Sequence, residues 1–425
     1  MTKQSPTGRA TRLDLKSSFT EVRQQTEWLA EPLGAEDQTV QSMPDVSPTK
    51  WHRAHTTWFF ERFVLAENQP GFRPYDEHFE YLFNSYYEAV GPRFPRVGRG
   101  LLSRPGVGEI AAYRSVVDDA TLELLDGEVD PGVAALVELG LHHEQQHQEL
   151  LLMDIKHVLS LNPMRPAYRP RSLPAPSMDA PAPLGWIDHD GGLVDVGHLS
   201  PGDGSFAFDN ESPRHQALLH PHRISDRLVT CGEWQAFIDD GGYERPDLWL
   251  SDGWAAVTAN EWRAPLYWEE IDGVWHRHTL GGYGVVTDAE PVCHVSQYEA
   301  DAYARWAGGR LPTEFEWETA AARSGGGSTG GLAWHPRAAR PTSDAPEQWI
   351  GEVWQWTSSP YLGFPGFAPA AGAVGEYNGK FMSNQMVLRG GACITPVGHA
   401  RVTYRNFFGP ASRWCFAGLR IASDR

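Results

Sequence analysis

A proline-dense stretch constrains how this chain can fold more than any other feature. Residues 165–183, RPAYRPRSLPAPSMDAPAP, contain few apolar side chains. Proline lacks a backbone N–H and fixes its own φ angle, so such a stretch favours a linker over a helix or a central strand. The chain has 425 residues, more than one hydrophobic core usually serves. We therefore predict two domains, residues 1–164 and 186–425, joined by a linker over 165–185.

The first domain shows helical periodicity in four long segments. The predicted helices cover residues 14–31, 48 onward, 107–126 and 131 to about 160. Ser47 suits the N-cap of the second helix, and proline suits the first helical position of the second and fourth helices, at Pro48 and Pro131. Four helices of this length indicate a bundle. The long connection between the second and third helices is of a kind that often carries function.

The second domain has a different pattern, rich in glycine and tryptophan. GLVDVGH at 192–198 and GLRIAS at 418–423 predict strands. Residues 295–309 and 313–323 predict short helices, and long irregular stretches lie between them. The pattern predicts a loop-rich domain that mixes helices and strands. The whole chain is therefore predicted to be an α+β protein with two domains.

Composition excludes several classes of partner. The net charge of −18 argues against nucleic acid or an anionic membrane as the main partner. We find no apolar run long enough to span a bilayer and no apolar signal-peptide segment at the N-terminus, so we expect a cytoplasmic protein. The four cysteines show no CxxC spacing, which predicts buried thiols rather than disulfides or metal ligands.

A polar cluster, HHEQQHQE at 142–149, interrupts the apolar fourth helix. His143 and His147 are four residues apart and therefore lie on one helix face, near the leucines that should form the core. Two imidazoles on a core face are costly unless a partner satisfies them, and a metal ion would do so. His142 is out of phase with His147 and is the weaker candidate. Glu144 completes the HExxH spacing of zinc proteases, but no other feature supports a protease.

A third ligand is expected from the second helix, in WHRAHTTWFFE at 51–61. His55 lies within its aromatic face, whereas His52 lies toward the edge, so we choose His55. Three neutral imidazoles with open positions would suit Fe(II), zinc or copper. The alternative is a set of core histidines held by hydrogen bonds.

With these motifs, the chain resembles the ergothioneine-pathway sulfoxide synthases, a family of nonheme iron enzymes. WHRAHTTWFFE and HEQQHQE resemble the iron-binding segments of the family's DinB-like four-helix bundle. GGRLPTEFEWETAA, GEVWQWTSS, VLRGGA and YRNFFGPASRWCFAGLRIA resemble its formylglycine-generating-enzyme-like domain, which has a C-type-lectin-like fold. The resemblance covers nearly the whole chain, with both domains in the family's order.

The resemblance implies a reaction and a set of site residues. Dioxygen would couple a cysteine-type thiol to imidazole C2 of hercynine (Nα-trimethylhistidine), giving a sulfoxide. His55, His143 and His147 match the Fe(II) ligands. The residues matched to substrate binding are Gln146, Asn406 and Phe407.

The family divides by thiol donor, and two segments bear on the choice here. Where the γ-glutamylcysteine branch has NWD and an arginine four residues further on, this chain has NFF at 406–408 and Ser412. Tyr86 and Tyr87 match a tyrosine pair of the branch that uses free cysteine, where a tyrosine O–H is the expected proton donor. Packing on a loop is the alternative role for this pair. The resemblance therefore favours cysteine.

Arg93 and Arg96 lie in the same connection as the tyrosine pair and are candidates to bind the cysteine carboxylate. Their alternative is solvated loop charge. Three functional alternatives also stay open. The same chemistry could use γ-glutamylcysteine, or a selenosugar in a selenoneine synthase. The chain could instead be a zinc-binding bundle with a lectin-like recognition module and no redox chemistry.

Overall fold

The computed structural model describes residues 12–170, 183–199, 205–325, 332–340, 346–370 and 372–425. These residues form two compact units. The first unit contains residues 12–163 together with two short segments from later in the chain, 205–206 and 372–377. The second unit contains the other described residues. Residues 171–182 of the predicted linker lie outside the described residues, and the linear domain boundaries stay a prediction.

Helices build the first unit. Its α-helices are α1 (Arg12–Ala30), α2 (Thr49–Phe59), α3 (Ala66–Asn68), α4 (Phe79–Phe83), α5 (Val107–Asp126) and α6 (Pro131–Ser160). A π-helical segment, Phe60–Leu65, connects α2 to α3, and a 3₁₀ segment covers Arg96–Leu101. Helix α1 packs against α6, and α2 packs against both α5 and α6. The four predicted long helices are present, with α2 extended by the π-helical segment.

The starts of α2 and α6 show how local sequence and tertiary contacts compete. Pro131 occupies the first turn of α6, and the Asp130 carboxylate accepts the Gly132 N–H at 2.7 Å. Helix α2 begins at Thr49, so Pro48 stands at the cap and the prediction of Ser47 as N-cap was wrong. The Ser47 hydroxyl instead accepts a hydrogen bond from the buried Arg99 guanidinium at 2.9 Å. A tertiary contact therefore takes the group that sequence assigned to the cap.

The second unit combines short strands and helices. Its strands are β1 (Trp186–His189), β2 (Gly192–Val196), β3 (His215–Leu219), β4 (His222–Ser225), β5 (Trp268–Ile271), β6 (Val274–Thr279), β7 (Gly282–Val285), β8 (Trp354–Pro360), β9 (Met386–Arg389), β10 (Asn406–Phe408), β11 (Ala417–Gly418) and β12 (Ala422–Asp424). Its α-helices are α7 (Cys231–Asp239), α8 (Ser251–Asn260), α9 (Gln297–Trp306) and α10 (Glu314–Arg323). Short 3₁₀ segments cover Asp209–Glu211, Gly242–Glu244, Pro246–Leu248, Ala373–Glu376 and Gly379–Phe381, with Ala373–Glu376 belonging to the first unit.

The strands form small sheets, in the orders β1-β4-β12, β10-β9-β8-β11, β2-β3 and β5-β6-β7. The pairings are antiparallel except that β11 runs parallel to β8. Strand β10 carries Asn406 opposite Leu388 on β9. Capping boxes begin α7, α9 and α10, where Thr230, Ser296 and Thr313 each exchange hydrogen bonds with a glutamate three residues later. The predicted two-domain α+β class is confirmed.

The interior of the second unit contains buried ion pairs as well as apolar contacts. Arg405 donates to the Glu314 carboxylate at 2.7 and 3.0 Å, and Arg389 forms an ion pair with Glu318 at 2.5 Å. These side chains are nearly inaccessible to solvent. Arg420 lies over the Trp349 ring at 4.0 Å. Several motifs that carried the resemblance in this half therefore hold the fold together.

Candidate metal centre

Two helices bring three histidines together. His55 comes from α2, and His143 and His147 come from successive turns of α6. Their candidate ligand atoms lie within 4.8 Å of one another. The ring planes of His55 and His143 are nearly perpendicular, at 83°. Among the residues that the structure describes, no other set of three histidine, cysteine, aspartate or glutamate side chains is close enough to share one ion.

Neighbouring groups fix the form of these imidazoles. The His55 Nδ1–H donates to the Phe83 carbonyl at 2.6 Å, which leaves a lone pair on Nε2. Burial lowers the pKa of His55 and His147 well below the usual value, and the nearby His143 adds to this effect. Burial also lowers the pKa of His143 to about 3. The three rings are therefore neutral near pH 7, which is the form that binds a metal.

The arrangement fits a divalent transition metal. His55 Nε2 and His143 Nε2 are 3.2 Å apart in an interior where both residues are buried. The His143 Nδ1 atom has no hydrogen-bond partner among the described residues. The His55 lone pair on Nε2 points at His143 Nε2, and an ion between these two nitrogens would bind both of them. Three nitrogen ligands with room for further ligands suit iron, zinc or copper.

Glu144 lies on a different face of α6 from the histidines. Its carboxylate accepts hydrogen bonds from Arg23 at 2.7 Å, Arg114 at 2.9 Å and Thr26 at 2.6 Å. It is fully buried. Burial by itself would raise the pKa of Glu144, but Arg23 and Arg114 outweigh it and lower the pKa to about 2. A carboxylate held this way cannot serve as the base of an HExxH protease.

Two family models match the chain. The DinB superfamily matches residues 18–151, which include all three histidines, and the sulfatase-modifying factor enzyme 1-like domain matches residues 189–347. The hercynine oxygenase of Mycolicibacterium thermoresistibile is 33% identical over 410 residues, which cover 90% of this chain and 88% of the relative. The hercynine oxygenase of Mycolicibacterium smegmatis is 33% identical over 425 residues, which cover 90% of this chain and 92% of the relative.

The chain belongs to the hercynine oxygenase family. The predicted resemblance is therefore confirmed, as are the DinB-like bundle, the formylglycine-generating-enzyme-like domain and the assignment as an oxygenase. The formylglycine-generating enzyme of Streptomyces coelicolor is 32% identical over 202 residues, which cover 45% of this chain and 58% of that enzyme. No helix of the described residues has the length and apolar character needed to cross a membrane.

The predicted tyrosine pair of this hercynine oxygenase family member belongs to the first unit. Tyr86 and Tyr87 stack at 4.6 Å between ring centroids, and their hydroxyl oxygens are 3.5 Å apart. Tyr87 is fully buried against Trp58 and Phe63. Burial raises the pKa of Tyr87, so its phenol keeps its proton at neutral pH.

A third tyrosine, Tyr377, was missed by sequence reasoning. Its ring centroid lies 5.5 Å from that of His143 and 6.2 Å from that of Tyr86. Its hydroxyl donates to the Oε1 atom of Gln146, the predicted substrate-binding glutamine beside His147. The Glu376 carboxylate accepts the backbone N–H groups of Glu88 at 3.0 Å and Ala89 at 2.8 Å. The segment 372–377 is thus bonded to residues 84–89, the tyrosine loop, which carries Tyr86 and Tyr87. No local sequence signal marked it.

The predicted arginines have partners within the protein. Arg93 forms an ion pair with Glu88 at 2.9 Å and donates to the Ser85 carbonyl at 2.8 Å, while Arg96 donates to the Asp45 carbonyl. Both side chains are exposed. Arg99, three residues further on, is buried and lies 3.4 Å from the centroid of the Trp51 ring, which stacks on His55. The three-residue spacing of these arginines was visible in the sequence, but their burial was not.

Asn406 and Phe407 belong to the second unit. Both are partly buried in β10. The Asn406 Oδ1 atom accepts the Phe407 N–H at 2.8 Å, and the Phe407 ring stacks on Tyr361 at 4.1 Å. Their assignment to substrate binding stays a prediction.

Proposed function

We propose that this protein is a nonheme Fe(II) sulfoxide synthase. It would join the sulfur of cysteine to imidazole C2 of hercynine with dioxygen, giving hercynylcysteine sulfoxide in ergothioneine biosynthesis. The observation that carries the proposal is the set of three neutral, buried histidines at His55, His143 and His147. Membership in the hercynine oxygenase family supports the choice of hercynine and of iron.

The ligands would hold Fe(II) through imidazole nitrogens. Bound iron supplies a centre that activates dioxygen and lowers the pKa of a coordinated thiol, so that the sulfur reacts as thiolate. Three protein ligands leave positions for these small molecules. The chain's own contribution is to keep the imidazoles neutral and fixed.

The tyrosines and Gln146 would act on the reactants. Tyr86 and Tyr87 are proposed to deliver a proton or hydrogen bond to the reacting oxygen. Burial raises the pKa of Tyr87, so this phenol is a protonated donor at neutral pH. Gln146 is proposed to contact hercynine. Its Oε1 atom accepts from Tyr377, and a glutamine amide can also donate to a ligand through its N–H groups.

Cysteine is the proposed thiol. A small donor needs few polar contacts, which agrees with Phe408 and Ser412 at the positions where the γ-glutamylcysteine branch has an aspartate and an arginine. Arg93 and Arg96 stay candidates for the cysteine carboxylate. Arg99 joins them because a buried guanidinium near His55 would gain more from a carboxylate than an exposed one.

Oxygen consumption tests this proposal. The protein is loaded with Fe(II) without oxygen and mixed with hercynine and either cysteine or γ-glutamylcysteine, and products are identified by mass spectrometry. We expect hercynylcysteine sulfoxide and faster oxygen uptake with cysteine. Zinc-loaded protein is the matched control and should consume no oxygen. Preference for γ-glutamylcysteine, or uptake only with a selenosugar, would change the donor. No uptake with any donor by protein that holds one iron per chain would reject the reaction.

A further inference from the structure

His52, which sequence reasoning set aside as a ligand, lies between His147 and Asp154. The His52 Nδ1 atom is 2.9 Å from His147 Nδ1, and its Nε2 atom is 3.0 Å from Asp154 Oδ2. His52 and Asp154 are both 3% exposed. The same Asp154 oxygen accepts the Ser47 N–H at 2.8 Å. The three side chains thus form a buried hydrogen-bonded series that ends at a candidate metal ligand.

Counting protons along this series gives one assignment. A carboxylate can only accept, so His52 Nε2 carries the hydrogen that points at Asp154. In a neutral ring, His52 Nδ1 is then an acceptor. His147 must therefore donate through Nδ1–H, which leaves the lone pair on His147 Nε2. That nitrogen is the one free to bind an ion.

We propose that His52 and Asp154 are positioning residues that fix the tautomer and ring orientation of His147 for metal binding. The inference rests on the proposed metal site and not on the identity of the thiol. It also gives a role to a histidine and an aspartate that neither the ligand set nor the substrate contacts use. Outer partners of this kind hold metal-bound imidazoles in many proteins.

The three ligands differ in this support. A backbone carbonyl, that of Phe83, fixes His55, so no side-chain substitution removes its partner. The His143 Nδ1 atom has no hydrogen-bond partner among the described residues. His147 is therefore the ligand whose orientation depends on other side chains, and His52 is the place where that dependence can be tested.

The test measures Zn(II) affinity by competition with a chromophoric chelator, without any turnover. We expect His52→Phe to weaken Zn(II) binding about 10- to 100-fold, because the His147 Nδ1–H group loses the nitrogen that accepts its hydrogen bond. We expect His52→Asn to recover most of the affinity, since its Oδ1 atom stands near the position of His52 Nδ1 and can accept from His147 Nδ1–H. Asp154→Ala removes the carboxylate while leaving every histidine in place and should weaken binding about tenfold.

His222→Gln is the matched control. His222 is a fully buried histidine of β4 in the second unit, and its loss should leave the Zn(II) affinity unchanged. Thermal unfolding of each metal-free variant verifies its fold. In zinc-loaded protein labelled with ¹⁵N-histidine, the wild-type His147 should show Nδ1–H, and His52→Phe should lose that signal's hydrogen-bonded shift.

Wild-type affinity in both His52→Phe and Asp154→Ala would overturn the proposal, and so would equal losses in His52→Phe and His52→Asn. An Nε2–H signal for His147 in the wild-type protein would also overturn it. These outcomes are independent of oxygen uptake, so failure of the proposed reaction and failure of the positioning role are distinguishable.

Discussion

Two faces of α6 carry buried polar groups one residue apart, and they are satisfied in opposite ways. Glu144 receives hydrogen bonds from two arginines and a threonine, all supplied by α1 and α5. Its neighbour His143 has a ring nitrogen without a partner among the described residues and another that faces His55. The first face is complete within the protein. On the second face the Nε2 atoms of His55 and His143 face each other, and an ion between them would bind both.

The difference separates a structural cluster from a functional one. Leaving a buried polar group unpaired has a cost, and a fold keeps such a group where another requirement outweighs that cost. Burial alone does not distinguish the two faces, because both are buried. The two faces differ in their hydrogen-bond partners. Substitutions on each face test whether the Glu144 face supports the fold and the histidine face binds a metal.

The largest expected effect is on the histidine face. We expect His147→Ala to abolish stoichiometric iron binding and reduce sulfoxide formation to background, because two imidazoles hold Fe(II) poorly. Iron per chain and oxygen uptake measure this. His142→Ala is the control, since His142 stacks on Phe206 at 3.7 Å and is not in the ligand group. One iron per chain with full activity in His147→Ala would refute the ligand assignment.

Glu144→Gln should lower the stability of the metal-free protein instead of its metal binding. Neutralising this carboxylate removes one counter-charge from the buried Arg23 and Arg114, which keep Asp118 and Glu27 as their other partners, and we expect a loss of about 2–3 kcal/mol of stability. Denaturant unfolding of the metal-free protein measures the loss. Glu138→Gln, on an exposed position of the same helix, should change the free energy of unfolding by less than about 0.5 kcal/mol. Similar stability in both variants would mean that the ion pairs do not support the fold.

The tyrosine loop sharpens the comparison, because it supplies chemistry that the histidine face lacks. Removing a positioned proton donor typically slows a reaction at least about a hundredfold. We therefore expect Tyr86→Phe or Tyr87→Phe to slow sulfoxide formation by that order and to divert the thiol toward sulfinic acid. Single-turnover kinetics with product analysis measure both effects. Unchanged rates and products in both variants would remove the tyrosines from the proposed role.

Acid should remove the contribution of Glu144 to the stability of the folded protein. The pKa of Glu144 in the folded protein, about 2, is below its value in an unfolded chain, about 4.5. Its contribution to stability is therefore complete above pH 4.5 and is lost as the pH falls toward 2. The difference in unfolding free energy between wild type and Glu144→Gln should narrow across that window in the metal-free proteins. A constant difference would contradict the assigned pKa.

The smallest effect is expected at Tyr377. Tyr377→Phe removes the hydrogen bond to Gln146 and keeps the ring beside His143. Loss of one hydrogen bond corresponds to about 1 kcal/mol, so we expect the KM for hercynine to rise several-fold with iron content unchanged. Steady-state kinetics measure it. A large loss of bound iron would instead place Tyr377 among the groups that hold the metal site.

Local pattern by itself predicted much of this molecule. Helical periodicity located the long helices, and the helices of 295–309 and 313–323 were found from short amphipathic runs. The HxxxH spacing placed His143 and His147 on one face because an α-helix repeats every 3.6 residues. The aromatic face of α2 supplied His55. The resemblance added the family and the type of the second domain, whose motif residues form buried ion pairs.

Tertiary structure decided the partners. Arg23 and Arg114 reach Glu144 from other helices, His52 lies against His147, and Tyr377 meets Gln146 across 231 residues of sequence. Ser47 was expected to cap α2 and instead accepts from Arg99. The physical reason is the separation in sequence between the residues that interact. A helix or a cap is set by residues within a few positions of each other, whereas a buried hydrogen bond between distant segments depends on which faces pack together.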